Sequence, residues 1–126
     1  MDEQDGFSTG NAISDGKRGW FVGQFVPPSL GLAHQDALEM KWGQHPKGDK
    51  RQGFARSLHA TTISILVSGS FIMRLKLQDE IKEIVLREPG DYVAFGPSVD
   101  HLWEALEESL VMTVRFPSLQ DDQIEA

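Results

Sequence analysis

Apolar and polar residues alternate with a period of two along several short stretches of this chain. In residues 36–42, three large apolar side chains fall on one side of an extended strand, and Glu39 and Lys41 fall on the other. Residues 71–77 repeat the pattern, with four apolar residues on one side and two basic residues between them. The 3.6-residue period of a long amphipathic helix does not occur. The pattern predicts an all-β protein in which one face of each strand is buried.

Turn residues separate these stretches into about eight predicted strands. The predicted strands are residues 20–26, 36–42, 61–67, 71–77, 81–86, 91–95, 101–106 and 110–116. Strands of this length and spacing are typical of a sandwich or barrel, and 126 residues fit one domain. We expect a β-barrel domain over residues 20–118, a flexible N-terminal arm over residues 1–19, and an acidic C-terminal tail over residues 119–126 that frays.

Face alternation identifies candidate ligand-binding side chains on two predicted strands. His101, Trp103 and Ala105 share one side of a strand because residues two apart point the same way. If His101 faces the interior, Trp103 does so too, either as a core residue or as an aromatic wall of a pocket. On the last predicted strand, Arg115 lies opposite an apolar face, where it is either exposed or the anion-binding group of a cavity. Tyr92 is a further candidate donor to an anionic ligand.

Composition excludes several classes of function. The chain has no cysteine, so disulfides and thiolate metal sites are excluded, and a cytoplasmic location is favoured. The net charge of -7 argues against a nucleic-acid partner, whose phosphates require lysine and arginine. No apolar run approaches the roughly 20 residues of a membrane span, and residues 1–5 are acidic where a secretory leader is basic. We therefore expect a small-molecule ligand and no membrane partner.

One segment carries a specific resemblance. Gly90 precedes His101 by eleven residues, with a short apolar strand and a second turn between them. This arrangement resembles the second motif of the cupin family, in which the histidine binds metal. The turn departs from the motif, because Gly96 and Ser98 stand where a proline and a glycine are usual and Pro97 falls one place late. The resemblance covers residues 36–117 and implies a single RmlC-like jelly-roll barrel of two antiparallel sheets.

The first cupin motif, a His-x-His pair followed by a glutamate, is degenerate in this chain. Counting back from Gly69 places the motif's glutamate at Thr62, which has no carboxylate. Counting forward from Gly53 instead places the first histidine at His59 and the second at Thr61. The resemblance therefore implies at most two of the usual ligands, His59 and His101.

Two functions from different classes are compatible with these residues. The first is a binding module that holds a small, anionic metabolite without a full metal site and without a reaction. Its predicted ligand-binding residues are His101, Trp103, His59, Tyr92 and Arg115. The alternative is a divalent-metal enzyme, a dioxygenase, an isomerase or similar, in which His45 supplies a third ligand beside His59 and His101.

The resemblance also implies a homodimer, because cupins commonly pair. Trp20-Phe21-Val22 is the predicted exchanged strand, which would add to the sheet of a neighbouring copy and cover its bare edge.

Overall fold

The computed structural model describes residues 6–126. Residues 1–5, the acidic start of the predicted arm, lie outside the described part. A short helix α1 spans Ala12–Asp15, and 3₁₀ turns span Pro28–Ala33. The strands are β1 Trp20–Val22, β2 Glu39–His45, β3 Ala55–Ser57, β4 Thr61–Ser68, β5 Phe71–Leu77, β6 Glu80–Leu86, β7 Tyr92–Phe95, β8 Asp100–Ala105, β9 Ser109–Phe116 and β10 Gln123–Glu125.

The strands form two five-stranded antiparallel sheets, which confirms the predicted all-β class. The first sheet has the order β1-β2-β9-β4-β7, and the second has the order β10-β3-β8-β5-β6. Side chains from both sheets meet in one apolar cluster, to which the first sheet contributes Leu66 and Val111 and the second contributes Phe71 and Ala105. The two sheets therefore enclose a common interior.

Two strands escaped the sequence pattern because each has only three residues. β3 and β10 pair with one another, with Gln123 opposite Ser57. The predicted fraying tail is thus a strand of the second sheet. Asp122, just before β10, is buried, and its carboxylate accepts hydrogen bonds from the backbone N–H groups of His59 and Ala60. Burial is the largest single influence on the Asp122 carboxyl and raises its pKa. The hydrogen bonds and the nearby His59 together outweigh burial, so the pKa is lowered overall.

The described part of the predicted flexible arm has a defined place on the barrel. The Asn11 side chain caps helix α1 by accepting hydrogen bonds from the N–H groups of Ile13 and Ser14. Farther along, the carbonyl of Gly19 accepts a hydrogen bond from the N–H of Trp42 in β2. The described end of the predicted arm therefore contacts the first sheet.

The alternation predicted for β2 is present, but its faces are reversed. Glu39 and His45 are only 6% and 7% exposed and face the interior, whereas Met40 and Trp42 lie on the outer side. In the neighbouring β9, Arg115 likewise lines an interior cavity instead of facing solvent. The physical reason is that the buried polar groups here have polar partners: Glu39 pairs with Arg115, and His45 pairs with Asp49. Polar residues can therefore be buried at these positions.

Candidate functional site: a cationic cavity in the barrel

His101 lies inside the barrel near the start of β8, as predicted. The turn before it includes Ser98 at a φ of 68°, a left-handed conformation that glycine adopts more readily. The ring of His101 packs 4.6 Å from the Phe95 ring between centroids, and its Nδ1 lies 3.2 Å from the Val99 carbonyl oxygen. Burial lowers the pKa of His101 below its usual 6.5, which favours a neutral imidazole at neutral pH.

An interior cavity of about 290 Å³ lies against this histidine. Four cationic side chains line it, and no carboxylate of the described residues does. The cationic residues are Arg18, Lys41, Arg51 and Arg115; the hydroxyl-bearing residues are Thr62, Ser64 and Thr113; the aromatic residues are Trp20, Phe95 and Trp103. In a chain of net charge -7, this is a local concentration of positive charge.

Arg115 is held at the boundary between this cavity and a wider one. Its Nε lies 2.6 Å from Glu39 Oε1. The N–H is not directed at that oxygen, so the contact is an ion pair without an aligned hydrogen bond. The guanidinium carbon lies 4.2 Å from the centre of the Trp20 ring. Glu39 also accepts a hydrogen bond from Ser118 Oγ at 2.8 Å. Burial lowers the pKa of Arg115, and the nearby Glu39 opposes this effect.

The wider cavity, of about 520 Å³, lies at the mouth of the barrel. It shares four lining residues with the interior cavity, namely Arg18, Trp20, Arg115 and Gln123. Glu39, Asp15 and Asp122 also line it, so its charge is mixed. The cation-only lining is therefore a property of the interior cavity.

Arg51 and Lys41 complete the positive lining. One terminal nitrogen of Arg51 donates to Glu125 Oε1 at 2.6 Å, while its buried Nε has no hydrogen-bond partner among the described residues. Lys41 forms no ion pair within that part of the chain and lies near the Trp20 and Trp103 rings. Each side chain thus has donor capacity that neighbouring protein groups leave unused.

The predicted faces of β8 are confirmed, and they bring Trp103 to the same cavity. Trp103 stacks on Phe71 with ring centroids 5.5 Å apart, and it contacts the His45 ring at 4.5 Å. His45 is buried, and its Nδ1 lies 2.8 Å from Asp49 Oδ2. Burial lowers the pKa of His45, and the hydrogen bond to Asp49 opposes this shift. Trp103 is therefore both a core residue and a wall of the cavity.

Two predicted ligand-binding residues lie elsewhere. The side chain of His59 is 71% exposed, and its Nδ1 lies 2.9 Å from Asp122 Oδ1, outside the interior cavity. Tyr92 is 66% exposed on β7, the edge strand of the first sheet. Tyr92 follows from strand alternation, since the next residue, Val93, is buried and faces inward. His59 lies in the short connection between β3 and β4, outside either strand.

The predicted three-histidine metal site is not formed. His45 and His101 lie on the inner face, but His59 points away and is paired with Asp122. Within residues 6–126, no group of three or more histidine, aspartate or glutamate side chains is placed to hold a metal ion. The donor set therefore does not fit a transition metal, which needs about three protein ligands.

Sequence reasoning missed Lys41, Arg51 and Arg18. The available signal was a complementary pattern on neighbouring strands: Glu39 and Lys41 on β2 stand opposite Arg115 and Thr113 on β9. Charged residues at matching positions of adjacent strands can pair across an interior as well as on a surface. Recognising that arrangement requires the register between β2 and β9, which the structure supplies and the sequence alone does not.

Solved structures similar to this chain share its fold. Oxalate decarboxylase from Bacillus subtilis matches with a TM-score of 0.62 and 17% identity over 75% of this chain and 25% of its own. The capsular polysaccharide assembling protein CapF from Staphylococcus aureus matches with a TM-score of 0.58 and 17% identity over 71% of this chain. The chain thus spans about a quarter of the length of these two proteins.

A third similar structure is nearer in size. The sugar 3,4-ketoisomerase QdtA from Thermoanaerobacterium thermosaccharolyticum, solved in complex with TDP, matches with a TM-score of 0.57 and 25% identity. The match covers 82% of this chain and 72% of that one. No protein-family model matches the chain, and no curated protein matches it in sequence. In residues 6–126, no helix has the length and apolar character needed to cross a membrane.

Proposed function

We propose that this chain, which belongs to the cupin family with the RmlC-like jelly-roll fold, binds a small anionic metabolite inside its barrel without a full metal site. One observation carries the proposal: four cations and no carboxylate of the described residues line the interior cavity. Like charges held close together in a low dielectric repel one another. A bound anion would relieve that repulsion.

The rest of the lining suits a small polar ligand. Arg51 brings an unused Nε donor, and Thr62, Ser64 and Thr113 bring hydroxyl groups that can donate or accept. Trp103 and Phe95 supply aromatic surface for an apolar part of the ligand. The cavity volume of about 290 Å³ is at the lower end for small-molecule sites. We therefore expect a compact ligand whose charge lies toward the arginines.

The QdtA comparison supports an anionic ligand. That protein was solved with TDP, a nucleoside diphosphate, and the match covers 82% of the present chain. The wider cavity at the mouth shares four residues with the interior cavity, so a ligand longer than the interior could extend through it. TDP is accordingly the first probe for the site, and inorganic pyrophosphate is the smaller one.

A homodimer in the cytoplasm belongs to the same proposal. On the outer face of the first sheet, Met40, Trp42 and Met112 are partly exposed, which is surface that a second copy could cover. The predicted exchanged strand pairs with β2 of its own chain as β1, so the sheet face supports pairing better than strand exchange does. Light scattering should give twice the monomer mass, and a monomeric mass would refute this part.

Isothermal titration calorimetry with TDP tests the binding proposal. We expect wild-type protein to bind TDP and the Arg51→Gln variant to bind it about tenfold more weakly, because a charge-assisted hydrogen bond contributes roughly 1.5–3 kcal/mol. Arg87→Gln is the matched control, since Arg87 is exposed and lies outside the cavity. Pyrophosphate should compete with TDP. Equal binding by both variants, or no binding of either anion to wild type, contradicts the proposal.

A further inference from the structure

Lys41 occupies an unusual position for a lysine. Its Nζ lies 5.9 Å from the centre of the Trp20 ring and 5.8 Å from the centre of the Trp103 ring. No carboxylate of residues 6–126 lies within 4 Å of this nitrogen. Most lysines extend into water, whereas this one is directed into the barrel by the reversed face of β2. The amine is therefore partly desolvated and has aromatic neighbours instead of a counter-ion.

The charges around Lys41 are mostly of its own sign. Burial is the main cause that lowers its pKa, and Arg115, Arg18 and Arg51 lower it further, while Asp49 acts in the opposite direction. His45 lines the adjoining cavity with Lys41 but is bonded to Asp49 and is itself kept neutral by burial. A desolvated lysine next to other cations has more of its amine in the neutral, nucleophilic form. The guanidinium groups nearby cannot act as nucleophiles because they stay protonated.

We propose that Lys41 forms a reversible imine with the carbonyl group of a small anionic keto acid or aldehyde held in the cavity. The neutral Nζ adds to the carbonyl carbon, and the resulting carbinolamine loses its oxygen as water. That water molecule contains the carbonyl oxygen and the two hydrogens of the neutral amine. The step therefore needs no oxidant or reductant. The product carries a carbon–nitrogen double bond to Lys41, and hydrolysis reverses the step.

The arrangement also selects which carbonyl compounds can react. Arg51 and Arg115 line the same cavity as Lys41, so they can hold the carboxylate or phosphate of the ligand while its carbonyl reaches the amine. A neutral ketone would lack that anchor. This inference rests on the proposed binding of an anion in the barrel and names the class of ligand: an anion that bears a carbonyl group.

Reductive trapping tests the inference. Native protein is incubated with pyruvate and sodium cyanoborohydride, and tryptic peptides are analysed by mass spectrometry for the N-carboxyethyl group. Lys76 and Lys82 are exposed and serve as internal controls. Because a lowered pKa leaves more of the amine neutral, and Arg51 and Arg115 can hold the pyruvate carboxylate beside it, we expect Lys41 to be labelled several-fold faster than Lys82. Acetone lacks the anionic anchor, so its preference for Lys41 over Lys82 should be smaller than that of pyruvate; an equal preference would show that anchoring by the arginines plays no part.

Wild-type protein alone separates this inference from the proposed function, because labelling and TDP binding are measured on the same protein. Lys41→Arg is the labelling control: its guanidinium is not a nucleophile, so the preferential pyruvate label at position 41 should disappear. Circular dichroism checks that the variant is folded, and the wild-type ratio of Lys41 to Lys82 label gives the answer without any variant. Wild-type protein that binds TDP but labels Lys41 no faster than Lys82 overturns the imine and leaves the anion site standing. Absence of TDP binding instead counts against the proposed function.

Discussion

The two ends of this barrel are built from the same strands but hold opposite kinds of side chain. At one end, Leu66, Phe71 and Leu86 are at most 2% exposed and pack in an apolar cluster. At the other end, the inward positions hold Arg115, Glu39 and their polar neighbours. β9 contributes to both ends, with Val111 in the cluster and Arg115 four residues farther along the same face. A buried position in this protein is therefore not always an apolar one.

The apolar end should carry most of the stability. Replacing Phe71 by alanine removes a side chain that is 2% exposed and leaves a cavity next to Trp103. We expect the free energy of unfolding to fall by about 4 kcal/mol, as is usual for buried Phe→Ala changes. Urea denaturation followed by tryptophan fluorescence measures the loss. A loss below about 1 kcal/mol would show that this end is not well packed.

The cationic end should be sensitive to the loss of single partners. Arg115→Met leaves the Glu39 carboxylate buried with Ser118 as its remaining hydrogen-bond partner, so we expect a loss of about 3 kcal/mol. The matched control is the double variant Glu39→Gln, Arg115→Met, which removes both charges and should recover most of that loss. Urea denaturation of wild type, Arg115→Met, Glu39→Gln and the double variant gives the coupling free energy between the two side chains. If the double variant is less stable than Arg115→Met, the unpaired Glu39 carboxylate is not the cause of the stability lost in Arg115→Met.

Acid should weaken the protein through the interior histidines. Burial lowers the pKa values of His45 and His101 in the folded state below 6.5, whereas in the unfolded chain they return to about 6.5. The unfolded state therefore binds more protons as the pH falls below about 6.5, and the free energy of unfolding decreases by at most about 1.4 kcal/mol per pH unit for each histidine. Asp122 has a lowered pKa, so its contribution is lost only below about pH 4.

Urea denaturation between pH 7.5 and 5 checks this expectation. The His101→Gln variant should show a shallower decrease in stability than wild type over the same interval. An identical slope in both proteins would mean that His101 does not resist protonation in the folded state.

Period-two alternation was sufficient to predict the all-β class, and the motif resemblance supplied the jelly-roll arrangement. The predicted bounds of residues 71–77 coincide with β5, and the Gly90 to His101 spacing placed an imidazole inside the barrel. Alternation did not decide which side of β2 and β9 faces inward. Arg115 meets Glu39, and Lys41 meets the Trp20 and Trp103 rings, only once the strands are assembled. His59 was assigned to the site by counting from Gly53, but it lies in the connection between β3 and β4, where its side chain is exposed and pairs with Asp122. Three-residue strands such as β10 are too short for any periodic signal.

A crystal structure of the protein soaked with TDP would show whether the interior cavity holds an anion, as we propose. We expect electron density for the diphosphate within hydrogen-bond distance of Arg51 and Arg115, inside the barrel. Diphosphate density confined to the outer surface, with only water between Lys41 and His101, would contradict it.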